Sequence, residues 1–232
     1  MNDIGFGILC FGDKYYHQGA HVKQQKIMGY GYECYILTDQ PSVFNYNSKF
    51  YDTELQSYHD KMLIPKHILA KHDICILIDA DSEIKDYSFL ETLKDYKFNP
   101  GISYPDILLN HPEQKKFVKE LSMSTPEWKP YKKYISSILP DYGELELIWE
   151  YFLVINWEES YLKNFYHHYE RLKVAKEYGE LDSSEVVGAG EGISIAIASK
   201  LSGTPCERDY YLYDIIKDKI NNRSRRFMRD DS

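Results

Sequence analysis

The stretch Ile74-Cys75-Ile76-Leu77-Ile78-Asp79-Ala80-Asp81 joins an unbroken apolar run to two carboxylates one residue apart. The run is too short for a helix and has no polar alternation, so it reads as a strand buried on both faces. Strands of that kind belong to parallel sheets covered by helices, and in open α/β sheets ligands bind where the strands end. Asp79 and Asp81 therefore leave the sheet at its ligand edge. Carboxylates at i and i+2 can both reach a hard divalent cation, which prefers oxygen ligands and often bridges to substrate phosphates. Two ionised carboxylates beside a buried strand also repel each other unless a cation compensates. The plainer alternative is a turn in which one aspartate caps the next helix.

The flanking sequence alternates strand and helix signals. Residues 4–11 form an apolar run, 14–28 are helical in composition until Gly29 and Gly31, and 33–38 are strand-like up to the turn Thr38-Asp39-Gln40-Pro41. Residues 58–71 read as one helix broken or restarted at Pro65, 86–97 as a short helix, and 102–109 as a strand or extended segment. Between 110 and 147 the prolines Pro112, Pro126, Pro130 and Pro140 suggest an irregular insertion over the sheet edge. Residues 149–157 return to strand character, and Asn156 is a candidate cap for a helix in which Leu162, Phe165, Tyr169 and Leu172 recur at helical spacing until Gly179. Gly203 and Pro205 stop a helix over 192–202, and 210–216 reads as a last strand. The expectation is a single α/β domain over 1–216, with a mostly parallel central sheet flanked by helices. Residues 217–232 form a basic tail carrying Lys217, Lys219, Arg223, Arg225, Arg226 and Arg229.

At 232 residues, 43% hydrophobic and 28% charged, the chain can bury a substantial core. Its 28 basic against 36 acidic residues give a net charge of −8, which argues against a general nucleic-acid coat protein while leaving a local basic site possible. No apolar stretch approaches the roughly 18 residues of a membrane span, and no secretory signal pattern opens the chain, so a cytoplasmic protein is expected. Cys10, Cys34, Cys75 and Cys206 lack metal-site spacing and read as core residues of a reducing compartment.

The Asp79-Ala80-Asp81 element resembles the DxD motif of GT-A glycosyltransferases. Phe11-Gly12-Asp13-Lys14-Tyr15-Tyr16 and the stretch from Gly31 to Pro41 are similar to uridine-binding segments of the blood-group-type retaining α-galactosyl and N-acetylgalactosaminyl transferases. The resemblance implies a Mn²⁺ or Mg²⁺ ion at Asp79 and Asp81 and a UDP-sugar donor. By position, Phe11, Gly12 and Asp13 would lie at the uracil, Tyr16 would stack on it, and Asp79 would also serve the ribose. A tyrosine face suits such stacking, although Tyr16 reads equally well as a helix-surface residue. Asp39 is a candidate partner of the uracil N3, or simply part of its turn. Lys61 or Lys66, on the helix before the DxD strand, is the candidate contact to the diphosphate.

The resemblance also makes Glu191, in Gly188-Ala189-Gly190-Glu191-Gly192, the candidate catalytic carboxylate, although the His-Asp that precedes it in the family is replaced here by Ala189-Gly190. Its plainer role is to favour the dipole of the helix it opens. The acceptor strand of the family is replaced by 144–152, so a different acceptor is implied, with Glu144, Glu146 and Glu150 as weaker base candidates. A glycan, a small molecule or a hydroxylated DNA base would each offer the hydroxyl, the last in keeping with a viral enzyme acting in a host cytoplasm. The basic tail is a candidate cover for the diphosphate. Two other readings stay open: a haloacid-dehalogenase-like phosphatase, which also uses Asp-x-Asp after an apolar strand, and a noncatalytic nucleotide- or nucleic-acid-binding module.

Overall fold

The computed structural model describes residues 2–10, 14–38, 50–52, 58–105, 148, 150–157, 159–177 and 191–221, with backbone alone at 14–17, 50–52, 58–59, 159–160, 173–177, 191 and 193. In chain order these form β1 (Ile4–Cys10), α1 (Lys14–Gly29), β2 (Glu33–Thr38), β3 (Phe50–Asp52), a 3₁₀ turn (Tyr58–Met62), α2 (Leu63–Ile68), β4 (Ile74–Ile78), β5 (Glu83–Ile84), α3 (Phe89–Leu93) and β6 (Gly101–Pro105). There follow β7 (Phe152–Asn156), α4 (Glu159–Glu177), α5 (Glu191–Ser202), β8 (Cys206–Asp209), α6 (Tyr210–Ile216) and β9 (Ile220–Asn221).

Seven of these strands form one sheet in the order β3-β2-β1-β4-β7-β6-β8, and β5 and β9 form a separate antiparallel ribbon. The sheet is mostly parallel, as expected. Only β7 is reversed, pairing antiparallel with β4 on one side and β6 on the other. Strands β4, β6 and β8 therefore end at the same edge, the one from which Asp79 and Asp81 emerge.

Side-chain alternation divides the core in two. Phe6, Ile8, Ile76 and Ile78 face α1, α3 and α6, while Leu9, Cys75, Leu77 and Ile155 face α2, α4 and α5. On the second face β1 presents Gly5 and Gly7, where α2 lies so close that a methyl group would collide with Ile68 or Ile64. The missing side chains let α2 and the 3₁₀ turn before it settle directly on the sheet. Cys10, Cys34 and Cys75 are buried, and none of the four cysteines forms a disulfide, as expected of core thiols. Among the described residues no helix is long and apolar enough to cross a membrane.

Several expected elements come out differently. Residues 210–216 form α6 instead of a strand, because the Asp209 carboxylate accepts the Leu212 N–H at 2.9 Å and caps a helix that buries Leu212, Tyr213 and Ile216. The strand lies one step earlier, as β8. The expected helix over 58–71 divides at Met62 into 3₁₀ and α segments, which places Pro65 in the first turn of α2, where its missing N–H leaves no helical bond unmade. α3 is confined to Phe89–Leu93. Asn156 ends β7 and donates to the Phe98 carbonyl at 3.3 Å, so it does not cap α4. The fold continues past residue 216, since β9 pairs with β5. The expected insertion at 110–147 and the tail from 222 onward lie outside the described residues.

Candidate active site at the end of β4

The diaspartate turn is tied down first through its backbone. Asp79 donates its N–H to the Tyr151 carbonyl at 3.0 Å, and Ser82 donates to the Asp79 carbonyl at 3.2 Å. These bonds fix the turn at both ends and attach it to the segment that enters β7.

Each face of the sheet then contributes one lysine. From the α2 side, Lys61 of the 3₁₀ turn is 2% exposed, ion-paired with Asp79 Oδ1, and donates to the Glu150 carbonyl at 2.6 Å. From the α1 side, Lys23 is 6% exposed and its ammonium donates to the Ala80 carbonyl. Burial lowers the Lys23 pKa from its ordinary value, while Asp81 and Asp79 act to raise it. A buried ammonium is costly unless charges or dipoles compensate it, and here both compensators belong to the turn. The compensating cation that the sequence argument assigned to a metal is thus supplied in part by the protein itself.

α5 closes the remaining side. A methyl group at Gly192 would collide with the Ile148 carbonyl and stand 2.7 Å from Glu150 Oε2, so the start of the helix rests on the segment that Lys61 holds. The backbone thereby brings the start of α5 onto Ile148 and Glu150, the residues just before Tyr151, whose carbonyl accepts the Asp79 N–H. Tyr151 is buried here as well, and its phenol is pushed well above its usual pKa by burial, then by Tyr213 and Asp79. The ribbon of β5 and β9 starts two residues beyond Asp81, with Glu83 opposite Asn221.

Of the residues expected from sequence, Asp79, Asp81 and Lys61 converge at the end of β4. Lys66 points elsewhere: it pairs with Glu170 of α4 at 2.7 Å and lies 4.0 Å from the centre of the Tyr166 ring. Tyr16 and Glu191 are placed by backbone alone, in the first turns of α1 and α5. Phe11, Gly12, Asp13 and Asp39 lie outside the described residues.

Lys23 is the site residue that sequence reasoning missed. Its signal was present, because the buried positions among the described side chains of α1 are Ala20, Lys23, Gln24 and Ile27, a helical stripe in which a lysine and a glutamine occupy apolar places.

No protein-family model and no curated protein sequence matches the chain. Among solved structures, it is similar to the galactosyltransferase LgtC in complex with donor and acceptor sugar analogs, at 13% identity, over 88% of this chain and 72% of that one, with a TM-score of 0.46. The glycosyltransferase GlyE of Streptococcus pneumoniae TIGR4 is similar at 12% identity, over 92% of this chain and 46% of its own, with a TM-score of 0.47. The bifunctional glycosyltransferase WbbM matches at 15% identity, over 86% of this chain and 37% of its own, with a TM-score of 0.45. The chain thus spans under half the length of GlyE and of WbbM. Likeness at this level concerns the path of the chain and leaves the chemistry to the site.

Chemically, the end of β4 presents two carboxylates and, at Lys61, an ammonium that pairs with one of them. Among the described residues no three His, Cys, Asp or Glu side chains converge to hold a metal ion by themselves. A hard divalent cation can also be taken by one or two protein carboxylates, with substrate phosphates and water completing its shell, and the carboxylates at this edge are Asp79 and Asp81.

Proposed function

We propose that the chain is a GT-A-type glycosyltransferase that moves a sugar from a nucleotide sugar, UDP-linked, to a hydroxyl acceptor. The observation that carries the reading is the emergence of Asp79 and Asp81 from a buried strand at the ligand edge of a mostly parallel sheet, with Lys61 buried against Asp79. A Mn²⁺ or Mg²⁺ ion held by Asp79 and Asp81 would offset the charge that develops on the leaving diphosphate.

The other roles belong to the protein. Lys61 pairs with Asp79 and would lend its charge to the diphosphate. The segment after β1, with Phe11, Gly12, Asp13 and Tyr16, and Asp39 after β2 would receive the uridine, since β1 lies between β2 and β4. Glu191 opens α5, against the segment of Glu150 that Lys61 holds, and is the candidate carboxylate for the reacting sugar and acceptor. The acceptor is a glycan or small molecule, with a hydroxylated DNA base as the variant that the basic residues beyond β9 would serve.

The test is calorimetric titration of UDP with and without Mn²⁺, in wild type and in Asp81→Asn, followed by hydrolysis assays on UDP-sugars. Manganese-dependent binding lost in the variant is the expected result. Absence of UDP binding under both conditions would overturn the donor assignment.

A further inference from the structure

Lys23 occupies a buried position on the inward stripe of α1. Its neighbours on the inward stripe of α1 include Ala20 and Ile27, both fully buried, and replacement of buried charges by hydrophobic groups of similar size is often neutral or stabilising. An ammonium carries three donors, and the hydrogen bond described for this one goes to the Ala80 carbonyl. Gly19, one turn earlier on α1, faces the same carbonyl oxygen, which a methyl group there would meet at an ordinary contact distance of 3.4 Å.

Ala80 separates the two aspartates. Its carbonyl shares a rigid peptide plane with the Asp81 N–H and Cα, so holding the oxygen restrains the plane and with it the place from which the Asp81 side chain departs. We propose that Lys23 is a positioning residue of the donor site: from α1 its ammonium grips the Ala80 carbonyl and holds Asp79 and Asp81 as a preformed pair. The inference rests on the donor-site reading given above. Lys61 grips the turn from one face of the sheet and Lys23 from the other, so the pair is oriented before any ligand arrives. Such preorganisation is what a binding site needs from the residues around those that touch the ligand.

The test separates this role from the donor reading by including a measurement that needs no ligand. Amide hydrogen exchange is compared between wild type and Lys23→Met, together with UDP titration in the presence of Mn²⁺. Lys23→Met is expected to keep its melting temperature, to speed exchange at Ala80 to Ser82 by about tenfold or more without changing β1, and to weaken UDP binding by about tenfold. In Lys23→Ala, propylammonium is expected to restore binding and propanol is not, because the charge and its N–H are what the turn requires. Unchanged exchange at Ala80 to Ser82 in the folded variant, or equal rescue by the alcohol, overturns the proposal. Should the methionine variant fail to fold, Lys23→Gln serves for the same exchange comparison. If wild type binds no UDP, the donor reading falls, while the exchange result still decides the role of Lys23.

Discussion

The two edges of the sheet handle charge in opposite ways. At the edge where β1, β2 and β4 begin, His72 lies 2.7 Å from Asp3 Oδ1 and 3.3 Å from Glu33 Oε2, and Tyr35 donates to the same Glu33 oxygen. Asp3 and Glu33 are 57% and 40% exposed, so water shares in solvating them. At the edge where β4 ends, the Lys61 side chain is 3% exposed, and it and Lys23 bond to backbone carbonyls as well as facing carboxylates. The first arrangement caps strand ends in solvent. The second buries two ammonium groups to orient one turn, and such a departure from the cheapest packing is characteristic of sites that bind or react.

The comparison is broken most severely at Lys61. Lys61→Met leaves Asp79 without its buried partner and is expected to cost about 3 kcal/mol, discounted for the partial exposure of Asp79, as read from urea unfolding. Asp81→Asn is expected to leave the urea midpoint nearly unchanged while weakening Mn²⁺-dependent UDP binding by about a hundredfold, or about 2.7 kcal/mol, in calorimetry. Gly192→Ala forces a methyl group against the Ile148 carbonyl and is expected to cost about 1–3 kcal/mol in the same unfolding experiment, with UDP affinity lowered as α5 shifts. At the opposite edge, His72→Ala is expected to cost about 1 kcal/mol or less and to leave UDP binding within twofold of wild type. A larger effect of His72→Ala on donor binding would show that the two edges are coupled and that the contrast is false.

Much of this was legible from the chain. The strands over 4–11, 33–38 and 74–78 and the helix over 14–28 correspond to β1, β2, β4 and α1, because short apolar runs bounded by glycines or charged residues have few other solutions. The diaspartate turn was legible for the same reason. The reversal of β7 was not, since the run Phe152-Leu153-Val154-Ile155 buries equally well in either direction. α6 was misread because Tyr210-Tyr211-Leu212-Tyr213 has strand composition, and the cap at Asp209 decides otherwise. Lys61 and Lys66 could not be separated by spacing alone. Lys66 sits beyond the change from 3₁₀ to α geometry at Met62, which turns it toward α4. Lys23 escaped notice because a lysine in a helix is ordinarily read as surface, and only its place in the inward stripe marks it as buried.

The ribbon of β5 and β9 has a consequence for biosynthesis. β5 follows the diaspartate turn in the first half of the chain, yet its partner Ile220–Asn221 is among the last described residues to leave the ribosome. At the usual pace of about 5–20 residues per second, many seconds separate the synthesis of the turn from that of the strand that flanks it. A nascent chain will therefore hold Asp79 and Asp81 beside an unpaired β5 until β9 has emerged. The ribbon beyond the diaspartate turn can therefore close only after Ile220 and Asn221 have been made.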